Sequence, residues 1–136
     1  MLKHQEITGD ILNAFYTVYN ALGHGFSERV YHIALQNELT SMGHKVESEK
    51  PIQVYYRGYP TASFFADLVM DDAVIIEMKA QKQLIEENEA QLLNYLRATR
   101  YEVGILLNFG PTAEHKRKAY DNERKGTMTW LEGSIK

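Results

Sequence analysis

The chain reads as an α/β protein: a mixed β-sheet flanked by helices, in the order ααβββαβα. Three observations lead there. Residues 4–43 carry apolar side chains at helical spacing, interrupted once by Gly23-His24-Gly25. From residue 46 the pattern changes to β-rich, apolar runs. A helical segment then returns between two strongly apolar strands, at 74–79 and 102–108, and a helix joining two strands implies a parallel crossover. With 136 residues and 44% apolar content, residues 1–136 have the size and composition of a single domain with one real core.

Taken in order, residues 4–22 place Ile7, Ile11, Phe15, Val18, Tyr19 and Leu22 on one helical face. A second helix is expected from Ser27, a good N-cap, to Gly43, a good terminator, burying Val30, Tyr31, Ala34, Leu35, Leu39 and Met42. Residues 46–56 form a strand whose Pro51 restricts it to an edge or a bulge. Arg57-Gly58-Tyr59-Pro60 is a turn, 63–70 a second strand, Asp71-Asp72 a tight turn and 74–79 a third strand. Val74-Ile75-Ile76 reads as a central strand buried on both faces. A helix over 85–99 turns Leu92, Leu93 and Leu96 inward, and 102–108 is the fourth strand. After Pro111 a last helix is expected to about residue 125, with a short strand at 128–131.

Composition narrows the function. The absence of cysteine excludes disulfides and thiolate metal sites and fits a reducing cytoplasm. No apolar h-region follows the basic residue near the start, and no apolar stretch is long enough to span a bilayer, so a soluble, cytoplasmic protein without a membrane partner is expected. A formal net charge of −3 argues against a role confined to coating nucleic acid. The five histidines lack ligand spacing such as His-x-x-x-His, and neither a Walker-type loop nor a Gly-x-Ser-x-Gly elbow is present. The run His115-Lys116-Arg117-Lys118 reads as one solvated helix face more readily than as a nucleic-acid contact.

The chemistry concentrates in the hairpin of the second and third strands. With the turn centred on Asp72, Asp67 falls opposite Glu77, Val69 opposite Ile75 and Phe65 opposite Lys79. Period-two alternation puts Lys79 on the face of Glu77. Two carboxylates so placed repel, and something must neutralise them. One reading is an internal salt bridge from Lys79 to either carboxylate. The other is a hard divalent cation, Mg²⁺ with Mn²⁺ as a substitute, held by Asp67 and Glu77 with the Met78 carbonyl as a further oxygen and Lys79 beside the nucleophilic water. Asn88, Gln91 and Tyr95 share a face of the following helix and offer uncharged hydrogen-bonding groups to a phosphate or to the lysine. Glu28 opens the second helix, where a carboxylate suits the helix dipole and also could reach a metal, directly or through water.

These residues resemble a known pattern. Asp67 followed by Glu77-Met78-Lys79 is similar to the Asp…(Asp/Glu)-x-Lys signature of the PD-(D/E)XK nuclease superfamily, and Gln91-x-x-x-Tyr95 resembles the extra motif of its exonuclease-like branch. More closely, Gly25-Phe26-Ser27-Glu28-Arg29-Val30-Tyr31 resembles the motif that names the GxxExxY family. Ala66-Asp67-Leu68, Ile76-Glu77-Met78-Lys79-Ala80, the stretch from Ala90 through Gln91 and Tyr95 to Leu96, and Leu107-Asn108-Phe109-Gly110 follow in the order of that family. Ala66 stands where the superfamily name has proline, and Asn88 where many relatives would carry histidine. The resemblance implies a restriction-endonuclease-like core and a Mg²⁺-dependent phosphodiesterase site; the expected substrate is nucleic acid, DNA in preference to RNA. Asp67 and Glu77 would be metal ligands, Lys79 the catalytic lysine, Glu28 an auxiliary acid, and Gln91 and Tyr95 supporting residues. A homodimer would let so small a nuclease cut both strands. The contrasting reading is a binding module that keeps the fold without turnover.

Overall fold

A computed structural model describes residues 3–126 of the chain. Helix α1 (Gln5–Leu22) and helix α2 (Glu28–Ser41) precede strands β1 (Val46–Tyr56), β2 (Tyr59–Met70) and β3 (Val74–Lys79). Helix α3 (Glu86–Arg97), strands β4 (Val103–Phe109) and β5 (Ala113–Ala119) and a 3-10 turn at Asn122–Lys125 complete the fold. The five strands lie side by side in chain order, antiparallel except for the β3–β4 pair. That parallel pair is the crossover through α3 that two apolar strands separated by a helix require. The fold class is the mixed α/β architecture expected from the sequence.

The helices cover opposite faces of the sheet. Ile11, Phe15 and Val18 of α1 and Tyr31, Leu35 and Leu39 of α2 pack with Leu68, Met70, Val74, Ile76, Ile105 and Leu107. On the other face Leu92, Tyr95 and Leu96 of α3 pack with Val69, Ile75 and Leu106. Every residue of β4 is buried, as are Val74 to Met78 of β3, which explains their uninterrupted apolar runs. Val30, expected on the buried face of α2, is instead 37% exposed. Its neighbour Tyr31 takes the inward position, with its ring stacked on Phe109 at 4.4 Å.

The expectation for the last element is overturned. The segment after Pro111 is a strand and not a helix. Its sequence, Ala-Glu-His-Lys-Arg-Lys-Ala, consists largely of good helix formers, so local propensity points the wrong way. The deciding factor is the open edge of β4, whose backbone groups need a ladder partner; Gly110, Pro111 and Thr112 leave just enough chain to turn back antiparallel. Alternation then splits the basic run between two faces. Lys118 pairs with Glu89 of α3 at 2.6 Å, whereas Arg117 donates to the Lys3 carbonyl at 2.6 Å and His115 meets the Tyr16 ring of α1 edge-on. The run is therefore not one solvated helix face. The short strand expected at 128–131 lies outside the described residues.

The start of the sheet is clamped by His44. Its Nδ1 is 2.6 Å from Asp71 Oδ2 in the β2–β3 turn, and its Nε2 is 2.8 Å from Asp10 Oδ2 of α1. Asp71 has a φ of 54°, a left-handed conformation that Asp tolerates better than most residues. Burial works against the imidazolium, but the bonds to Asp71 and Asp10 outweigh it and raise the His44 pKa above 6.5. A raised histidine pKa means that the clamp contributes fully below about pH 6.5 and is lost as pH rises through the folded-state value. His44→Gln is expected to lower stability by about 1 kcal/mol at pH 6 and by much less at pH 9, read from urea unfolding midpoints at both pH values.

Candidate metal centre at the strand fork

β2 and β3 pair only over Leu68–Ile76, Val69–Ile75 and Met70–Val74, in the register expected with the turn at Asp72. Beyond Leu68 they part: β3 continues along β4, while β2 continues along β1 into a long two-stranded arm. The next pair in register is Asp67 and Glu77, and there side chains replace the ladder. Asp67 N–H donates to Glu77 Oε2 at 2.8 Å, and Met78 N–H donates to Asp67 Oδ2 at 2.7 Å. Each carboxylate thus satisfies the amide that the fork leaves unpaired on the opposite strand. Phe65 and Lys79, expected to face each other, are separated by the fork: Phe65 pairs with Pro51 and Lys79 with Asn108.

Alternation along β2 also breaks at this point. Leu68 and Met70 face α1 and α2, yet Ala66, two residues back, packs on the α3 side with Ile52 of β1. The β1–β2 ladder skips the Glu49–Asp67 pair, and Glu49 has a φ of 53°. This local twist directs Asp67 toward the β3 backbone, where strict alternation would have put it on the face of Val69.

The electrostatics follow from the crowding. Glu77 is buried; its desolvation, and then the charge of Asp67, push its pKa up to about 8 against the opposing pull of the Asp67 amide and Lys79. Burial also raises Asp67, partly offset by the Met78 amide, His32 and Lys79. Glu28, in the first turn of α2, is raised by burial of its carboxyl and by Asp67, and it raises Glu77 in turn. Tyr95 is raised by burial, Glu77 and Asp67. The structure therefore brings Glu28, Asp67, Glu77, Lys79 and Tyr95 within one another's fields. Among the described residues Lys79 forms no ion pair with these carboxylates, although its charge still favours the ionised forms of Glu28, Asp67 and Glu77.

Gln91 stands one helical turn before Tyr95 on α3. It is exposed and lines a 600 Å³ groove between α3 and the β1–β2 arm, together with Tyr95 and Phe64. Asn88 caps α3 instead of facing the carboxylates. Its Oδ1 accepts from Ile85 N–H at 2.9 Å and from Gln81 Nε2 at 2.6 Å. No group of three His, Cys, Asp or Glu side chains among the described residues is close enough to hold a metal by itself. The donor set nonetheless suits Mg²⁺ or Mn²⁺. Both are hard cations that bind through one or two carboxylates and complete their shell with water and substrate phosphate, and Asp67 Oδ1 and Glu77 Oε1 have no protein partner among the described residues.

Three structural residues explain motifs that spacing alone left unassigned. Tyr31 Oη donates to the Gly23 carbonyl at 2.6 Å and accepts from Phe26 N–H at 3.3 Å, so it holds the loop that presents Glu28; Gly25 in that loop has a φ of 113°. Buried Asn108 exchanges two 3.0 Å bonds with the Gln81 backbone and donates to Glu114, which also accepts from Leu84 N–H. A Cβ on Gly110 would lie 2.1 Å from the Gln81 carbonyl oxygen. Asn108 and Gly110 thereby hold the loop that leaves Lys79. His32, missed in the sequence, is also buried beside Asp67 and bonds Ser48 Oγ at 2.7 Å; a lone histidine on an apolar helix face carried no signal for it.

Three outcomes test this reading. A carboxylate whose folded pKa is raised destabilises the charged state, so in EDTA stability should fall as pH rises from about 4.5 toward 8. Glu77→Gln keeps an acceptor for the Asp67 amide and should raise stability in EDTA at pH 8 by about 1–2 kcal/mol, with little gain at pH 4. Asn108→Ala leaves buried backbone groups of the loop unpaired and should cost about 3 kcal/mol in urea unfolding.

A family model described as the PD-(D/E)XK nuclease superfamily matches residues 5–119, which spans α1 through β5. No curated protein matches the chain significantly. No solved structure does so either. The described residues include no helix long and apolar enough to cross a membrane. With the signature residues gathered where β2 and β3 part, and the family match covering the whole sheet, the chain belongs to the PD-(D/E)XK nuclease superfamily.

Proposed function

We propose that this chain is a Mg²⁺-dependent phosphodiesterase of the GxxExxY type that hydrolyses nucleic acid, DNA in preference to RNA. The observation that carries the reading is the reciprocal pairing of Asp67 and Glu77 with each other's strand amides, with Lys79 alongside and not ion-paired to either. Asp67, Glu77 and the Met78 carbonyl would hold the cation, with Glu28 reaching it through water. The cation would supply Lewis-acid polarisation of the phosphate and a more acidic water.

The chain's own groups divide the remaining work. The amides of Asp67 and Met78 each fix one carboxylate oxygen, which leaves the other oxygen of each side chain available to a cation. Lys79 provides a positive charge that orients the attacking water and stabilises the extra charge on the phosphorus oxygens in the transition state. Tyr95 offers a hydroxyl that stays protonated, because burial and both carboxylates oppose its ionisation, so it can donate a hydrogen bond to phosphate or water. Gln91 lines the adjoining groove, one helical turn from Tyr95, where it can contact the substrate strand.

Purified protein incubated with radiolabelled DNA and RNA should cleave only with Mg²⁺ or Mn²⁺. Lys79→Ala and Asp67→Asn should each reduce the rate by about 10²-fold or more, and Tyr95→Phe by about tenfold. Calorimetry should detect Mn²⁺ binding that Asp67→Asn abolishes. Mn²⁺ binding without cleavage of any strand would leave a metal-binding module that keeps the fold without turnover.

A further inference from the structure

We propose that Phe65 is a stacking platform for an unpaired nucleobase, which makes single-stranded nucleic acid the preferred substrate of the fork. The inference rests on the phosphodiesterase reading above and adds a substrate class to it.

Phe65 is 61% exposed on β2, two residues before Asp67. It lines a 280 Å³ cleft together with Asp67, Glu28, Arg29, His32 and Glu49. The neighbouring exposed phenylalanines have ring partners: Phe64 tilts onto Tyr95 at 5.6 Å and Phe26 meets Tyr31 edge-on at 6.2 Å. Phe65 has none among the described residues. Its backbone partner is Pro51, whose ring fixes φ, so the platform stands on a stiff stretch of the arm. An exposed ring is costly to keep in water, and beside a phosphate-handling centre a flat apolar face suits the face of a base.

The charge distribution favours the same class. Proteins that hold duplex DNA through its backbone present free cations, and their affinity falls steeply with salt. Arg29, which lines the cleft, is paired with Glu49 at 3.2 Å, as are Lys50 of β1 with Glu47 at 3.1 Å and Lys118 of β5 with Glu89 at 2.6 Å, while Lys79 in the site itself has no ion pair among the described residues. The formal net charge is −3. Arg29 is then not free for phosphate beside Phe65, and stacking adds affinity there only when bases are unpaired.

The test is fluorescence anisotropy with the full chain and a labelled oligonucleotide in three forms: single-stranded, duplexed with its complement, and single-stranded with abasic sites. Each is measured in EDTA and in Ca²⁺ at two salt concentrations. The single strand should bind about tenfold tighter than the duplex, with affinity that changes little with salt. Phe65→Leu should lose about tenfold on the intact single strand and nothing on the abasic one, and Phe65→Trp should restore binding. Circular dichroism of each variant confirms the fold. Equal or tighter duplex binding, unchanged affinity in Phe65→Leu, or a Phe65→Leu effect confined to self-association in sedimentation would each overturn the platform. Cleavage of the same oligonucleotides in Mg²⁺ or Mn²⁺, with Lys79→Ala as control, separates the two ideas. Lysine-dependent cleavage that ignores Phe65 removes the platform and keeps the phosphodiesterase. Phe65-dependent, base-dependent binding without any cleavage does the reverse.

Discussion

The fork between β2 and β3 is the constraint around which the rest is arranged. Two carboxylates cannot sit across a continuous ladder without strong repulsion, and a ladder that ends inside a protein leaves buried amides without partners. Asp67 and Glu77 answer both demands together. Each accepts the amide that the parting strands expose, so the separation that holds the like charges in place is the same one that requires their oxygens. The residual strain shows as raised pKa values at Asp67 and Glu77, the condition under which a divalent cation gains most from binding.

Much of the surrounding structure serves to hold that fork. On one side Tyr31 stacks on Phe109 and pins the α1–α2 loop, which sets where α2 begins and hence where Glu28 stands. On the other, Asn108 and Gly110 hold the loop that follows Lys79, so the lysine leaves the sheet along a defined path. Phe109 lies between the two, contacting Tyr31 and Phe15 within the core. Motif residues far apart in the chain thus form one packing unit, and a residue such as Asn108 can be essential to the site without touching it.

The elements were legible where one physical signal dominated. The buried β3 and β4, the amphipathic α1 and the crossover through α3 follow from apolar periodicity, and the β2–β3 register follows from the turn at Asp71 and Asp72. The segment from Ala113 to Ala119 was misleading because its local preference is helical while its partner is non-local: only the unpaired edge of β4 makes it a strand. The break in alternation at Asp67 was invisible for a related reason. It arises from the departure of β2 along β1, a property of three strands together.

The sequence by itself determined the chemistry available: two carboxylates and a lysine at hairpin positions near one turn, with an acid, an amide and a tyrosine on flanking helices. Spacing along a strand or helix is a local property and can be read from the chain. Tertiary structure decided how those groups meet. It joined the carboxylates through backbone amides, set Lys79 beside them without an ion pair, placed Gln91 in the adjoining groove, and exposed Phe65 in the cleft beside Asp67. These outcomes depend on where strands part and which edges need partners, and such choices belong to the whole sheet.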